Sequence, residues 1–285
     1  MRIKGGLGNQ LFQYAAAYAL SKRLKQKFVF DHYNTNSMTK REYKLKELNV
    51  DNNEIISSEL LPRKIILIRN MYVNKALRLI NYTKHKCGDY IYLIENGSDI
   101  QKDFFSIEEQ NIYLDGYFQS EMYFKNFRPQ IIKQFTPAYV SEKAYFEVLD
   151  HITSTNSVAI HVRRGDFKND NNPYHYILNE EYYQNAIQYV NNNIESPFFF
   201  WFSDDIEWVK EKIGIKNNYR FIKLQTNHSD IDEMLLMKNC NHIITANSTF
   251  SWWSAWLSDK RCGIKVVPKK PYGMKYMIPE NWIKI

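Results

Sequence analysis

Val158-Ala159-Ile160-His161-Val162-Arg163-Arg164-Gly165-Asp166 is the stretch on which the fold turns. An apolar run that ends in a histidine, two arginines, a glycine and an acid reads as a buried strand leading into a polar loop. In an open α/β sheet, loops at the carboxyl ends of strands are where ligands bind. Alternation sends His161, Arg163 and Gly165 to one side and Val162 and Arg164 to the other while the strand lasts.

Downstream of this stretch the pattern predicts a helix over 180–190, a strand over 198–202, a helix over 206–212 and a strand over 221–224. A helix over 230–238, a strand over 242–245, a helix over 250–257 and a strand over 264–267 complete it. Strands separated by helices of about ten residues imply right-handed parallel crossovers and a doubly wound sheet. Upstream the order is less regular. A glycine turn leads into a helix with apolar residues at Leu11, Phe12, Ala15, Ala19 and Leu20, then a strand over 28–30. One long apolar and basic helix is expected over 54–83, a strand over 111–116, and a charged helix ending near His151. The chain is therefore expected to be α/β in two parts, 1–150 and 151–285, the second Rossmann-like.

Composition agrees with a folded protein of one large or two ordinary domains. The 285 residues are 44% apolar and 15% aromatic, with a mean hydropathy of -0.52. No apolar run approaches the roughly 20 residues needed to cross a bilayer. The net charge of +7 fits a soluble basic protein or a partner that carries phosphate, whether nucleotide, nucleic acid or anionic membrane. A nucleic-acid face would gather lysines and arginines with interleaved aromatics, whereas here they read as spread along the chain, so no nucleic acid is expected. Cys87, Cys240 and Cys262 are too few for a disulfide framework or zinc cluster and imply reduced thiols. The amino terminus lacks a signal-peptide stretch, so a cytoplasmic location is expected.

Three places carry unusual chemistry. In Gly5-Gly6-Leu7-Gly8-Asn9-Gln10, glycines at a helix start let a ligand approach the backbone, and Asn9 and Gln10 could grip a sugar or phosphate; Asn9 could equally cap the helix. In His161 to Asp166, Arg163 is expected on a ligand phosphate, with Arg164 or Asp166 partly structural. In Asn247-Ser248-Thr249-Phe250-Ser251, the hydroxyls exceed what one helix cap needs and favour an anion site. Asp204 and Asp205 follow a strand and suit a helix cap, as Asp230 and Asp232 suit a helix start, and no metal is expected from them.

Taken together, GGLGNQLFQYAAAYAL from Gly5, GYFQSEMYF from Gly116, HVRRGDF from His161, WFSDDIEW from Trp201 and CNHIITANSTFSWWSAWL from Cys240 resemble the bacterial α1,2-fucosyltransferases of glycosyltransferase family 11. The resemblance runs from residue 2 to about 268 and leaves residues 51–86 without a motif. It implies a GT-B-like enzyme of two Rossmann-like domains facing across a cleft, an acceptor-side half before 150 and a donor-binding half after it. It also implies inverting, metal-independent transfer of L-fucose from GDP-β-L-fucose to the 2-hydroxyl of a terminal galactose, with no cofactor. Arg163 then matches the arginine on the diphosphate and His161 a position near the nucleoside. Asn247, Ser248, Thr249, Phe250 and Ser251 match the phosphate loop, Asp232 is a candidate guanine reader, and Asp204 is counted among the GDP-fucose-binding residues. Gly6, Gly8, Asn9 and Gln10 form the donor-side turn of the first half. Asp166 is the carboxylate nearest Arg163 in sequence, as base or as a partner of Arg164. The resemblance further implies a surface glycan such as O-antigen as acceptor, built on a lipid carrier, and peripheral contact with the inner membrane face. Another linkage or GDP-sugar, a lectin without catalysis, and a nucleic-acid-binding protein are the competing readings.

Overall fold

The computed structural model describes residues 1–32, 42–51, 54–56, 60–80, 83–97, 99–109, 111–165, 176–214, 218–260, 262–269 and 276–285, with the side chain of Met71 outside that set. The chain forms two compact units, Met1–Tyr139 with Met274–Met277, and Val140–Gly273 with Ile278–Ile285.

In the first unit, helix α1 (Leu7–Leu24) follows Gly6 and is buried nearly all round, with Leu11, Phe12, Tyr14, Ala15 and Ala16 inaccessible. A helix apolar on every face belongs inside its domain. It ends at Lys25 in the left-handed conformation, after Lys22 and Arg23 in the last turn. The long helix expected over 54–83 is two short ones, α2 (Arg63–Ile68) and α3 (Met71–Leu79). Pro62 precedes α2, and Asn70 starts α3 anew by accepting the Tyr72 N–H at 3.0 Å. A hairpin unforeseen in the sequence follows, β1 (Lys84–Cys87) and β2 (Tyr90–Ile94), turning at Gly88-Asp89 with Gly88 at a φ of +64°. After α4 (Asp103–Ser106), β3 (Asn111–Asp115) pairs in parallel with β2, and α5 (Arg128–Gln134) comes after it. Beyond β3 the sheet continues in short pairings only. The Arg2 N–H bonds to Leu114 O, and parallel bridges join Arg2 to Asp31 and Phe30 to Ile55, which is all that forms of the strand expected over 28–30.

An ionic cluster sits inside this unit. Asp115 accepts from Arg2 and Lys4 at 2.9 Å each, from the Tyr92 hydroxyl at 2.7 Å and from Asn74 at 3.2 Å. Asp31 takes Arg69 at 2.7 Å and the Tyr113 hydroxyl. Both acids are inaccessible. Burial alone would raise the Asp115 pKa; Lys4 and Arg2 outweigh it and hold the carboxyl well below its usual range.

The second unit opens with α6 (Lys143–Thr153), which the sequence grouped with the first half but which packs against α9 below. Six strands follow in a fully parallel sheet of order β6-β5-β4-β7-β8-β9: β4 (Ser157–Val162), β5 (Phe198–Ser203), β6 (Tyr219–Ile222), β7 (His242–Ile244), β8 (Lys265–Val267) and β9 (Ile283–Lys284). Helices α7 (Glu180–Asn193), α8 (Ile206–Lys212), α9 (Ser229–Asn239) and α10 (Thr249–Leu257) alternate with them. Val158, Ile160 and Val162 pack with Tyr183, Ala186, Trp201 and Ile244 into one core. Trp252, Trp253 and Trp256 are buried, as their helical spacing predicts. β6 begins two residues earlier than expected, and the Leu224 N–H instead bonds the Glu233 carboxylate at 2.9 Å. From β4 the chain winds outward through β5 and β6, then returns to lay β7 on the other side of β4. The switch point lies between β4 and β7.

Candidate active site

The loops leaving β4 and β7 therefore share one crevice edge, and they carry Arg163-Arg164-Gly165 and Asn247 to Ser251. Asp204, just past β5, gathers the first loop. Its Oδ1 accepts the Arg164 N–H at 2.9 Å, and its Oδ2 accepts the Gly165 N–H at 3.1 Å and pairs with Arg163 Nη1 at 3.0 Å. A Cβ at Gly165 would stand 2.9 Å from Asp204 Oδ2, so glycine permits the approach. Asp205, not Asp204, caps α8, accepting the Trp208 N–H at 3.3 Å. Arg164 is clamped between Asp205 Oδ2 at 3.2 Å and the Trp208 ring, 3.9 Å from its centroid. The two arginines differ in setting: Arg164 braces the fold, while Arg163, paired with Asp204, keeps a third of its side chain exposed beside the crevice. Asp166 lies outside the described residues.

Across the crevice edge, Ser248 caps α10 by accepting the Phe250 N–H at 3.3 Å. The Ser251 hydroxyl accepts the Ala246 N–H at 3.1 Å, and Asn247 donates to Tyr176 O at 3.4 Å. Asn247 and Ser251 are buried and shape the loop, whereas Ser248, Thr249 and Phe250 stay partly exposed at the helix start, where the dipole favours an anion. His161 is buried with its ring 5.5 Å from Phe250, and its Nδ1 has no hydrogen-bond partner among the described residues. Burial first, and Arg163 second, push its pKa down to about 3, so it is neutral near pH 7. The unfolded chain binds that proton below about pH 6.5 and the native state does not, so this histidine withdraws stability as pH falls from about 6.5 toward 3, by up to roughly 1.4 kcal/mol per pH unit. His161→Gln is expected to flatten the fall in urea midpoint between neutral and mildly acidic pH; parallel curves for the two proteins would refute it.

Asp232, on α9, is inaccessible, with Oδ1 accepting from Ser141 at 3.0 Å and Oδ2 from Thr226 at 3.1 Å. Its neighbour Glu233, not singled out from sequence, has its pKa raised to about 7 by burial, with the Leu224 N–H opposing and Asp230 adding to the rise. A cavity of about 440 Å³ opens past β5 and β6, lined among others by Asp204, Asp205, Lys210, Phe221 and Lys223. Among the described residues no cluster of histidine, cysteine or acids could hold a metal ion.

In the first unit α1 begins at Leu7, with Gly6 in the cap position making no side-chain bond, so Asn9 lies inside the first turn and does not cap it. Asn9 Oδ1 accepts from Gln119 at 2.8 Å. Gly5 has a φ of +83°, and a Cβ there would meet Asn9 Nδ2 at 2.6 Å. Gln10 is fully buried, donating to Gly5 O and Glu42 O and accepting the Lys44 N–H, and it braces the turn. Gly8 is buried in the helix. Gln119 belongs to the segment from Gly116, which hangs on Glu95: Oε2 accepts the N–H groups of Tyr117 at 2.6 Å and Phe118 at 2.9 Å, and Phe118 takes a φ of +52°. A Cβ on Gly116 would fall 2.3 Å from Glu95 Cβ. Gly116→Ala is therefore expected to cost about 1–3 kcal/mol by forcing the backbone aside; an unchanged melting temperature would contradict that packing.

The sequence model of Glycosyl transferase family 11 matches residues 1–285. The chain belongs to glycosyl transferase family 11. This family 11 enzyme is 31% identical over 299 residues to an Alpha-1,2-colitosyltransferase of Escherichia coli, covering 100% of the chain and 97% of that relative. It is 29% identical to the O-antigen biosynthesis glycosyltransferase WbnK of Escherichia coli, covering 99% of each. It is 24% identical to the Galactoside 2-alpha-L-fucosyltransferase Sec1 of Mus musculus, covering 90% of the chain and 64% of that relative. Among solved structures it resembles the NodZ alpha-1,6-fucosyltransferase soaked with GDP-fucose, at a TM-score of 0.54, 13% identity and 90% coverage of each chain. It also resembles Arabidopsis thaliana FUT1 in complex with GDP, at a TM-score of 0.53 and 13% identity, covering 98% of this chain and 73% of that one. The family 11 enzyme is thus a glycosyltransferase with an α/β, GT-B-like fold.

Proposed function

We propose that this transferase moves L-fucose from GDP-β-L-fucose to the 2-hydroxyl of a terminal galactose, inverting the anomeric centre without a metal. The observation that carries the reading is Arg163, held by Asp204 at the end of β4, beside the switch point of a parallel sheet whose neighbouring strand β7 leads into the capped helix α10. Breaking the sugar–phosphate bond leaves an oxocarbenium-like sugar and an anionic diphosphate. A fixed guanidinium and helix-end N–H groups stabilise that developing charge without proton transfer. His161, neutral and packed against Phe250, would border the nucleoside; Asp232, buried on Ser141 and Thr226, would read guanine only if those two bonds gave way. The second unit takes the donor nucleotide; in the first unit, Asn9 and the Gly6–Gly8 turn are the sugar-binding candidates. For the acceptor proton Asp166 is the candidate base, since the alternative duty of pinning Arg164 is filled by Asp205. The acceptor is a surface glycan such as O-antigen on a lipid carrier, met at the cytoplasmic face of the membrane.

A second reading has its own support, because the colitosyltransferase matches the whole chain at 31% while Sec1 matches at 24%. Colitose is fucose without its 3-hydroxyl, so a donor comparison separates the two. A site that hydrogen-bonds that hydroxyl rejects the deoxy sugar strongly. Incubating the protein with GDP-fucose or GDP-colitose, a panel of β-galactosides and excess EDTA, then solving the product linkage by NMR, should give α1,2-fucosylated galactose. Product from GDP-colitose alone would replace the donor assignment, and product only with added metal would overturn the mechanism.

A further inference from the structure

The positive charge of this chain is not spread evenly. Residues 60–88 hold seven lysines and arginines and no acid, while the rest of the chain holds 31 of each sign. The segment that runs from α2 to β1 therefore carries +7, equal to the net charge of the whole chain. Two of the seven are committed inward, Arg69 to Asp31 and Arg78 to Asn74 at 2.7 Å, and Lys84 pairs with Glu109 at 2.9 Å. Arg63, Lys64 and Lys75 are exposed, with no salt bridge to an acid among the described residues.

The same helices expose large apolar side chains. Leu61 and Ile65 face inward onto Cys87, Tyr92 and Tyr113. Outward stand Leu60, Leu67, Tyr72, Leu79 and Ile80, with Leu67 62%, Tyr72 76% and Leu79 78% exposed. Apolar surface of this extent marks a contact site. Its occupant is constrained by charge. A second copy of the chain in a twofold contact would set this basic face against itself. A nucleic acid would leave the leucines unused. Leucine, isoleucine and tyrosine interspersed with lysine and arginine match the acyl–headgroup boundary of an anionic bilayer.

We propose that the α2–α3 helix pair is the membrane-docking element of this transferase, seating its apolar side chains among acyl chains while Arg63, Lys64 and Lys75 meet anionic headgroups. The proposal rests on the lipid-carrier part of the reading above and not on its chemistry, so it is tested without donor or acceptor. Co-sedimentation of the full chain with vesicles of phosphatidylglycerol and phosphatidylethanolamine is expected to show binding that weakens with salt, against little binding to phosphatidylcholine vesicles. The triple variant Arg63→Gln, Lys64→Gln, Lys75→Gln should bind the anionic vesicles at least about tenfold more weakly. Leu67→Ser with Leu79→Ser should lose binding that salt does not remove. Transfer to a soluble galactoside is expected to stay unchanged in both variants. Equal vesicle binding by wild type and both variants overturns the proposal, as does a wild type that ignores anionic vesicles. Dimerisation abolished by Leu67→Ser with Leu79→Ser, in place of vesicle binding, would assign the face to a second copy instead. If vesicle binding behaves as expected while no donor sugar is transferred, the docking element stands and the transfer reading falls.

Discussion

Arg163→Ala is expected to lower kcat/KM for sugar transfer by roughly a hundred- to a thousand-fold, the range for removing one preorganised donor from a developing anion. The fold should survive. Asp204 holds the loop through the N–H groups of Arg164 and Gly165, and those bonds do not involve the Arg163 side chain. Arg164, on Asp205 and Trp208, remains in place as well. Arg163→Lys should recover only part of the loss, because an ammonium keeps the charge but not the planar fork. Circular dichroism and melting temperature serve as the control for both variants. Turnover like that of the wild type in Arg163→Ala, measured with a GDP-sugar and a galactoside, would remove Arg163 from the mechanism.

The largest expected loss of stability follows from Asp115→Ala. Removing this acid strands the nearly buried Arg2 cation, takes the counter-charge from the partly exposed Lys4, and leaves the Tyr92 hydroxyl and the Asn74 Nδ2 without their acceptor. Breaking a buried pair by deleting one partner costs about 3–5 kcal/mol. Urea unfolding should show a much lower midpoint, and insoluble expression would agree with the upper end. The pH dependence has a definite sign. A carboxyl whose pKa is lowered by folding contributes stability that is present above its unfolded value, about 4, and is lost as pH falls below it. The wild type should therefore lose more stability than Asp115→Ala between pH 5 and the acid limit, both values being rough bounds set by that pKa. A variant within about 1 kcal/mol of wild type at neutral pH would show that the cluster does not hold the unit together.

The second unit was legible because its central strands β4 and β7 are buried on both faces, and a short apolar run such as Val158 to Val162, bounded by a polar loop, reads as such a strand. Where the sequence misled, a local contact decided. Asn70 and Pro62 divided what periodicity joined, and Glu233 drew the Leu224 N–H out of the sheet. Of the candidate site, the motifs could be found but not the division of labour within each. Two adjacent acids look alike in sequence. Only their partners reveal that Asp205 caps a helix while Asp204 ties down the arginine loop. Gln10 and Asn9 are likewise adjacent amides, yet one is sealed into the turn and the other meets Gln119 from a segment 110 residues away. The Glu95 anchor of that segment had no sequence signal, because β2, which it follows, was itself not legible.

A segment with seven cations and no acid is a local source of positive potential around α2 and α3. Its field reaches about one Debye length, roughly 8 Å in physiological salt, so a negatively charged surface within that distance draws these helices toward it. The same field would draw these helices to a cation-exchange resin, where neutralising three side chains would advance elution far more than their share of the sequence suggests.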